Sequence, residues 1–315
     1  MPIETPRLSN RALTGRLAVI SLFALMLFAP PAAAQELEPR ALVNAPVGMN
    51  FLVVSAGYLS GNLLLEPSLP IEDGKARLGT LGLAYLRSID FFGMAGRVGL
   101  AIPSATGSWE ANFAGNDTST ARTGFGDPIL KLYVNFIGSP ALTMSEFRSY
   151  RQSTVVGASL GVTAPLGQYF PERLINLGAN RWSFAPRLGA SQVLGRWMLE
   201  GYASATFYTT NSDFYGGQTL EQDPFYDVQA HAIYGIRGAD LWVAGSVGYG
   251  SGGRSTIEGV PKSRIENVRI SGVLRLPLAR GHGLKLVYIN GLKTALGSDF
   301  DTFQLAYNYA WGGKR

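Results

Sequence analysis

Cysteine is absent from all 315 residues. No disulfide, no cysteine-based metal site and no lipid-modified N-terminal cysteine can therefore form. Histidine is almost as scarce, with two copies, and no dense carboxylate cluster stands in for it, so neither a transition-metal site nor a cofactor site is expected. Charge is thin at 16% of residues, against about 25% in an ordinary soluble domain. Long apolar runs are missing too: the thirteen residues from Leu17 to Ala29 fall short of the roughly 20 that a spanning helix needs. The formal charge of +5 includes Arg7, Arg11, Arg16 and Glu4, so beyond residue 34 it is +3 (5 − 3 + 1). The remaining basic residues are scattered singly rather than gathered in a patch, so no nucleic-acid partner is expected.

The first 34 residues have an organisation of their own. Arg7, Arg11 and Arg16 precede the apolar run, and Pro30-Pro31-Ala32-Ala33-Ala34 follows it. These are the three regions of a secretory signal peptide, with cleavage expected after Ala34. Residues 35–46 read as a periplasmic N-terminal leader or a small plug, and 47–315 as one β-domain.

That domain alternates. From Thr302 to Trp311, Phe303, Leu305, Tyr307, Tyr309 and Trp311 share one side, while Thr302, Gln304, Ala306, Asn308 and Ala310 share the other. Only a strand separates every second residue in this way. Twelve strand-length segments are expected, near 49–59, 77–87, 94–103, 128–137, 153–164, 181–193, 197–209, 225–236, 240–250, 266–277, 284–293 and 301–311, with ten or fourteen as the alternative counts. Long connections (60–76, 104–127, 165–180, 210–224, 251–265) alternate with short ones (88–93, 194–196, 237–239, 278–283). The turn at 138–152 is long enough for a helical turn capped by Thr143 or Ser145, and the last external loop, 294–298, is short. Short turns at one end and long loops at the other predict an all-β fold, a transmembrane antiparallel up-and-down β-barrel of the Gram-negative outer membrane. Its partners would be outer-membrane lipid and the barrel-assembly machinery.

Charge assigns the faces, because Arg or Lys near the bilayer midplane on the lipid face costs about 2–4 kcal/mol. The lumen-facing set is then Arg97, Lys131, Tyr133, Arg181, Arg187, Glu200, Tyr202, His231, Asp240, Trp242, Arg269, Arg275 and Lys285, with Lys293 and Asp227 also inside. Fixed charge of one sign in a narrow pore draws counter-ions, so this basic set favours anions, small carboxylates included. The competing expectation is that the arginines pair with the few acids and fill a small barrel. Trp182, Trp197, Phe207, Tyr249, Tyr309 and Trp311 fall near strand ends on the outer face, where they would form interfacial girdles.

One catalytic motif is present by spelling. Gly157-Ala158-Ser159-Leu160-Gly161 matches G-x-S-x-G, but a nucleophile elbow needs a sharp strand-to-helix turn and these residues alternate as a strand. His231 and Asp227 stand four residues apart on one strand, roughly 13 Å, too far for a triad hydrogen bond, and His282 falls in a turn. No enzyme is expected.

Several blocks resemble the family of outer-membrane transporters named for the meta-pathway of phenol degradation. They are Leu37-Glu38-Pro39-Arg40, Asn44-Ala45-Pro46-Val47-Gly48-Met49-Asn50-Phe51, Gly124-Phe125-Gly126-Asp127-Pro128, Ala164-Pro165-Leu166-Gly167-Gln168-Tyr169, Asn176-Leu177-Gly178, Asn180-Arg181-Trp182-Ser183-Phe184 and Gln222-Asp223-Pro224. The resemblance implies a barrel that imports hydrophobic or aromatic compounds. It identifies no binding residues. The expected function is passive uptake of small solutes, aromatic or anionic compounds among them. A closed structural or adhesive barrel is the alternative, and an outer-membrane lipid hydrolase the remotest one.

Overall fold

The computed structural model describes residues 37–64, 71–113, 116–236 and 240–313. The leader at 1–34 lies outside them, together with Gln35 and Glu36, as does the side chain of Lys293. In chain order the elements are β1 (Met49–Leu64), β2 (Ile71–Phe91), β3 (Met94–Phe113), β4 (Asn116–Phe125), β5 (Ile129–Pro140), α1 (Met144–Phe147), β6 (Thr154–Thr163), β7 (Ser183–Leu194) and β8 (Trp197–Tyr208). Then come β9 (Asn211–Phe214), β10 (Gln218–Gln222), β11 (Phe225–Gly235), β12 (Trp242–Gly252), β13 (Ser255–Ile257), β14 (Val260–Pro261), β15 (Ile265–Ala279) and β16 (His282–Gly312).

All but four of these strands form one antiparallel sheet, and it closes on itself. β1 pairs with β2 on one side and with the end of β16 on the other, in unbroken register from Met49 opposite Gly312 to Leu64 opposite Gly297. β16 supplies two staves, since its first arm pairs with β15 and its second with β1. β4 and β5 together supply one, both pairing with β3. The result is a closed barrel of twelve staves, one for each segment expected from alternation. Closure matters because lipid offers no partner to an unpaired strand edge.

The alternation that sets the faces is plain on β12, where buried and exposed residues follow one another from Trp242 to Gly250. Val243, Val247 and Tyr249 point outward and are exposed, an apolar surface suited to lipid. At the short-turn end, Phe92 and Gly93 both have positive φ (54° and 82°) and join Phe91 to Met94. Two left-handed residues in a two-residue loop make the hairpin turn whose twist matches that of the strands. The longer turn at this end carries α1, capped by Thr143 in a capping box with Glu146, which satisfies amide groups at the helix start.

Several expectations change. Residues 104–127 were expected as a loop, yet 104–113 and 116–125 continue the wall as paired strands. The same holds for the ends of β1 and β2 beside 60–76, as far as Leu64 and back to Ile71. Beyond the apolar layer a strand still needs its ladder but no longer needs one greasy face, so alternation fades before pairing does. The loops at 210–224 and 251–265 are likewise not featureless: β14, β13, β10 and β9 lie side by side as a small four-stranded sheet. His282 is the first residue of β16 rather than part of a turn, and its ring stacks on Tyr309 at 4.6 Å.

Candidate functional site

The wall of the lumen is built by every second residue of the staves. Arg97 on β3, Lys131 and Tyr133 on β5, Glu200 and Tyr202 on β8, His231 on β11, Trp242 on β12, Arg275 on β15 and Lys285 on β16 are all buried. Arg187 is on β7 and Arg269 on β15, in the alternation of their strands with the inward residues. Arg181 and Asp240 stand just before strands, each beside a lumen partner: the Arg181 guanidinium lies over the Tyr208 ring at 4.7 Å and donates to Gln222 Oε1, while Asp240 Oδ2 is 3.7 Å from Arg275 NH2.

The stretch from Leu37 to Gly48, which takes in most of the expected leader or small plug and two residues beyond it, runs inside this wall. It forms no strand. At the short-turn end Gly48 N–H donates to Ser88 O (3.0 Å) and Val47 N–H to Leu142 O (2.8 Å). Further in, Asn135 Nδ2 donates to Leu42 O at 2.9 Å and the Arg97 guanidinium to Ala41 O. Arg40 N–H donates to Glu200 Oε2 at 2.5 Å, and its guanidinium lies 5.2 Å from the centre of the Trp242 ring. Deepest of all, the Glu38 carboxylate meets Arg187 NH1 at 3.4 Å, Lys131 Nζ at 3.7 Å and the Tyr133 hydroxyl at 3.2 Å. Leu37, Ala41, Leu42, Val43 and Ala45 are all buried.

The wall is shaped for this segment. A Cβ at Gly157 would come within 2.6 Å of Asn135 Oδ1, 2.8 Å of Leu42 Cδ2 and 2.9 Å of Val134 O, closer than Cβ contacts occur. The first glycine of the G-x-S-x-G match therefore makes room for Asn135 and Val134 of the neighbouring stave as well as for Leu42 of the chain inside the barrel. Ser159 lies in mid-strand on β6, in register with Tyr133 and Arg187, so the motif is extended and lacks the turn of a hydrolase elbow. His231 sits edge-on to Tyr202 at 5.3 Å between ring centres, with neither ring nitrogen hydrogen-bonded.

Glu38 is the site residue that face assignment missed. Alternation sorts residues of strands, and Glu38 is not on one. A signal was nevertheless present: a wall richer in Arg and Lys than in acids calls for counter-charge from elsewhere, and Leu37-Glu38-Pro39-Arg40 was among the resembling blocks.

Toward the long-loop end, three other blocks converge on Asp127. Its Oδ1 accepts from Gly167 N–H (2.8 Å) and its Oδ2 from Ala179 N–H (2.7 Å). Gln168 N–H donates to Phe125 O (2.8 Å) and Gly178 N–H to Gln168 O (2.9 Å). This is where one stave breaks: β5 pairs with β6 beyond it, whereas β4 pairs only with β3 among the described residues. The loop after β6 fills the space, and Arg122 Nε donates to Ile175 O at 2.9 Å. It also reaches the small external sheet, since the Tyr169 hydroxyl donates to Asp213 O at 2.9 Å and accepts from Asn211 Nδ2 at 3.0 Å.

A closed twelve-stave barrel with an apolar exterior, a charged interior and short turns at one end is a transmembrane β-barrel of the outer-membrane class. The model of the family described as "Putative MetA-pathway of phenol degradation" matches residues 72–295, and the chain belongs to that family. Among solved structures it is similar to an outer membrane channel from Pseudomonas putida F1, with 22% identity and a TM-score of 0.72 over 88% of this chain and 100% of that one. More distant similarity extends to the β-domain of the Bordetella autotransporter BrkA (12% identity, TM-score 0.50, 84% of this chain and 100% of that one). The transport unit of the autotransporter AIDA-I from Escherichia coli is comparable (9%, TM-score 0.50, 88% and 93%). At these identities the likeness is one of fold. No curated protein matches.

Proposed function

We propose that this barrel is a passive outer-membrane channel for small solutes, anionic and aromatic compounds among them, exported by its N-terminal leader and inserted by the barrel-assembly machinery. One observation carries the reading: the body inside the lumen is a segment without a strand, held by side-chain contacts and a few backbone bonds, and no stave depends on it for its ladder. What is held only by such contacts can yield to a solute. The basic wall supports a preference for anions. Tyr133, Tyr202 and Trp242 offer aromatic surface, and the similar protein from Pseudomonas putida F1 is titled a channel. In planar bilayers the protein should conduct with anion preference, and liposome swelling should be faster with benzoate or phenol than with a neutral sugar of similar size. Cation preference, or no conductance, would overturn this reading.

A second reading has its own support, because Glu38 with Lys131 and Arg187, and Asp240 with Arg275, pair charges inside the barrel. In a closed structural or adhesive barrel, charge reversal at Arg187 or Arg269 would lower heat-modifiable stability and leave uptake unaltered. Catalysis is not part of either reading. A lipase activity abolished by Ser159→Ala would revive it.

A further inference from the structure

The Glu38 carboxylate is held as a bound ligand would be. Two cations and a phenol converge on it: Arg187 from β7 at 3.4 Å, Lys131 from β5 at 3.7 Å, and the Tyr133 hydroxyl at 3.2 Å and 3.3 Å from its two oxygens. All three belong to the wall, whereas the carboxylate belongs to the segment inside it. Two aromatic rings stand beside these cations. The Arg97 guanidinium lies over the Tyr133 ring at 4.7 Å, and that of Arg187 is 5.7 Å from the centre of the Tyr202 ring. The side chains of Lys131 and Arg187 keep 11% and 13% of their surface, against 4% for Glu38. Both cations thus keep a little more open surface than the carboxylate they hold.

An ion pair with Lys131 and hydrogen bonds from Arg187 and Tyr133 recognise a carboxylate by its charge and geometry, not by what it is attached to. A free carboxylate would satisfy Lys131, Arg187 and Tyr133 as well as the tethered one does. We infer that these three residues form a binding site for small aromatic carboxylates, that Glu38 occupies it as an internal competitor, and that an arriving acid displaces Glu38 and loosens the segment from Leu37 to Val43. The solute ring would lie against Tyr133 and Tyr202. The inference rests on the channel reading for its purpose and extends it by naming the group that solute and plug compete for.

A tethered competitor acts at an effective concentration in the millimolar range, so removing it should strengthen binding of a free acid by about tenfold. Benzoate binding is measured at equilibrium on the full chain in detergent micelles and chloride-free buffer. Glu38→Gln should bind benzoate about tenfold more tightly than the natural protein, with no change for benzyl alcohol. Adding Lys131→Met to Glu38→Gln should remove the gain. Equal or weaker benzoate binding by Glu38→Gln overturns the inference, and so does an equal gain for benzyl alcohol, which would mean only a roomier lumen. An independent check uses the unaltered chain: benzoate, but not benzyl alcohol, should speed tryptic cleavage after Arg40, and an unchanged rate counts against the inference. Conductance separates it from the channel reading. A barrel with Glu38-dependent benzoate binding that carries no current keeps the site and loses the channel, and one that conducts without Glu38 dependence loses only the site.

Discussion

Asp127 shows how much one side chain can organise when it is short, charged and enclosed. Its two oxygens each take a backbone N–H, from Gly167 and from Ala179, and so hold two parts of one external loop to the point where a stave breaks. Asp127→Ala leaves both amides without that acceptor, at a cost of about 1–3 kcal/mol for buried donors left unpaired. The loss should fall on the loop rather than on the barrel, so tryptic cleavage after Arg173 should accelerate while the heat-modifiable transition stays in place. Gly157 makes the complementary point about absent atoms. A side chain there would strike Asn135, Leu42 and the Val134 carbonyl, so the space is already taken by the next stave and by the segment in the lumen. In sequence Gly157 looked like part of a catalytic motif, because spelling does not reveal that a neighbour arrives from more than a hundred residues away.

Strands are the elements whose faces sequence could assign. On β12 the outward residue Val247 is exposed while its neighbour Ser246 is buried. Val247→Arg places a charge in lipid and should cost about 2–4 kcal/mol near the midplane, measurable by denaturant unfolding in bilayers. Ser246→Asn, on the other face, should cost far less if the lumen is hydrated, and a comparable loss for both would refute the assignment of faces on this strand. The staves were legible because each must present an apolar face to lipid, which writes a two-residue period into the chain. Their extensions at 104–113 and 116–125 were not, since nothing outside the bilayer enforces that period. Neither were β9, β10, β13 and β14, whose pairing joins two loops far apart in sequence. α1 was half legible: Thr143 and Ser145 were both candidate caps, and the backbone settled on Thr143 by closing a box with Glu146. Bonds from the Thr143 N–H and hydroxyl hold the Glu146 carboxyl below its ordinary range. Its contribution is therefore complete above that range and is lost as pH falls through the lowered value.

For the whole molecule, the decisive relation is between a wall that closes on itself and a segment that lies within it. Because residues 37–46 contribute nothing to the ladder, a chain lacking them should still form a heat-modifiable barrel. Its single-channel conductance should rise several-fold, as a body that fills part of the lumen is gone. An unaltered conductance would mean that this segment does not limit the pore, and the external loops would then be the place to look.

The sequence by itself determined the class of fold, pointed to the outer membrane, and favoured twelve staves with ten and fourteen as the alternatives. Each follows from a local requirement, an apolar residue at every second position and a charge that cannot face lipid. Only the tertiary structure decided what those inward charges meet. The terminal alternation from Thr302 to Trp311 fixed one side of the seam, but its pairing with β1 closed the barrel and so created an interior. Once there was an interior, its surplus of cations needed a partner, and Glu38 came from a segment with no period to betray it. Periodicity reports a repeated environment, whereas a lumen site is a single meeting of distant residues, and such a meeting exists only after the chain has closed.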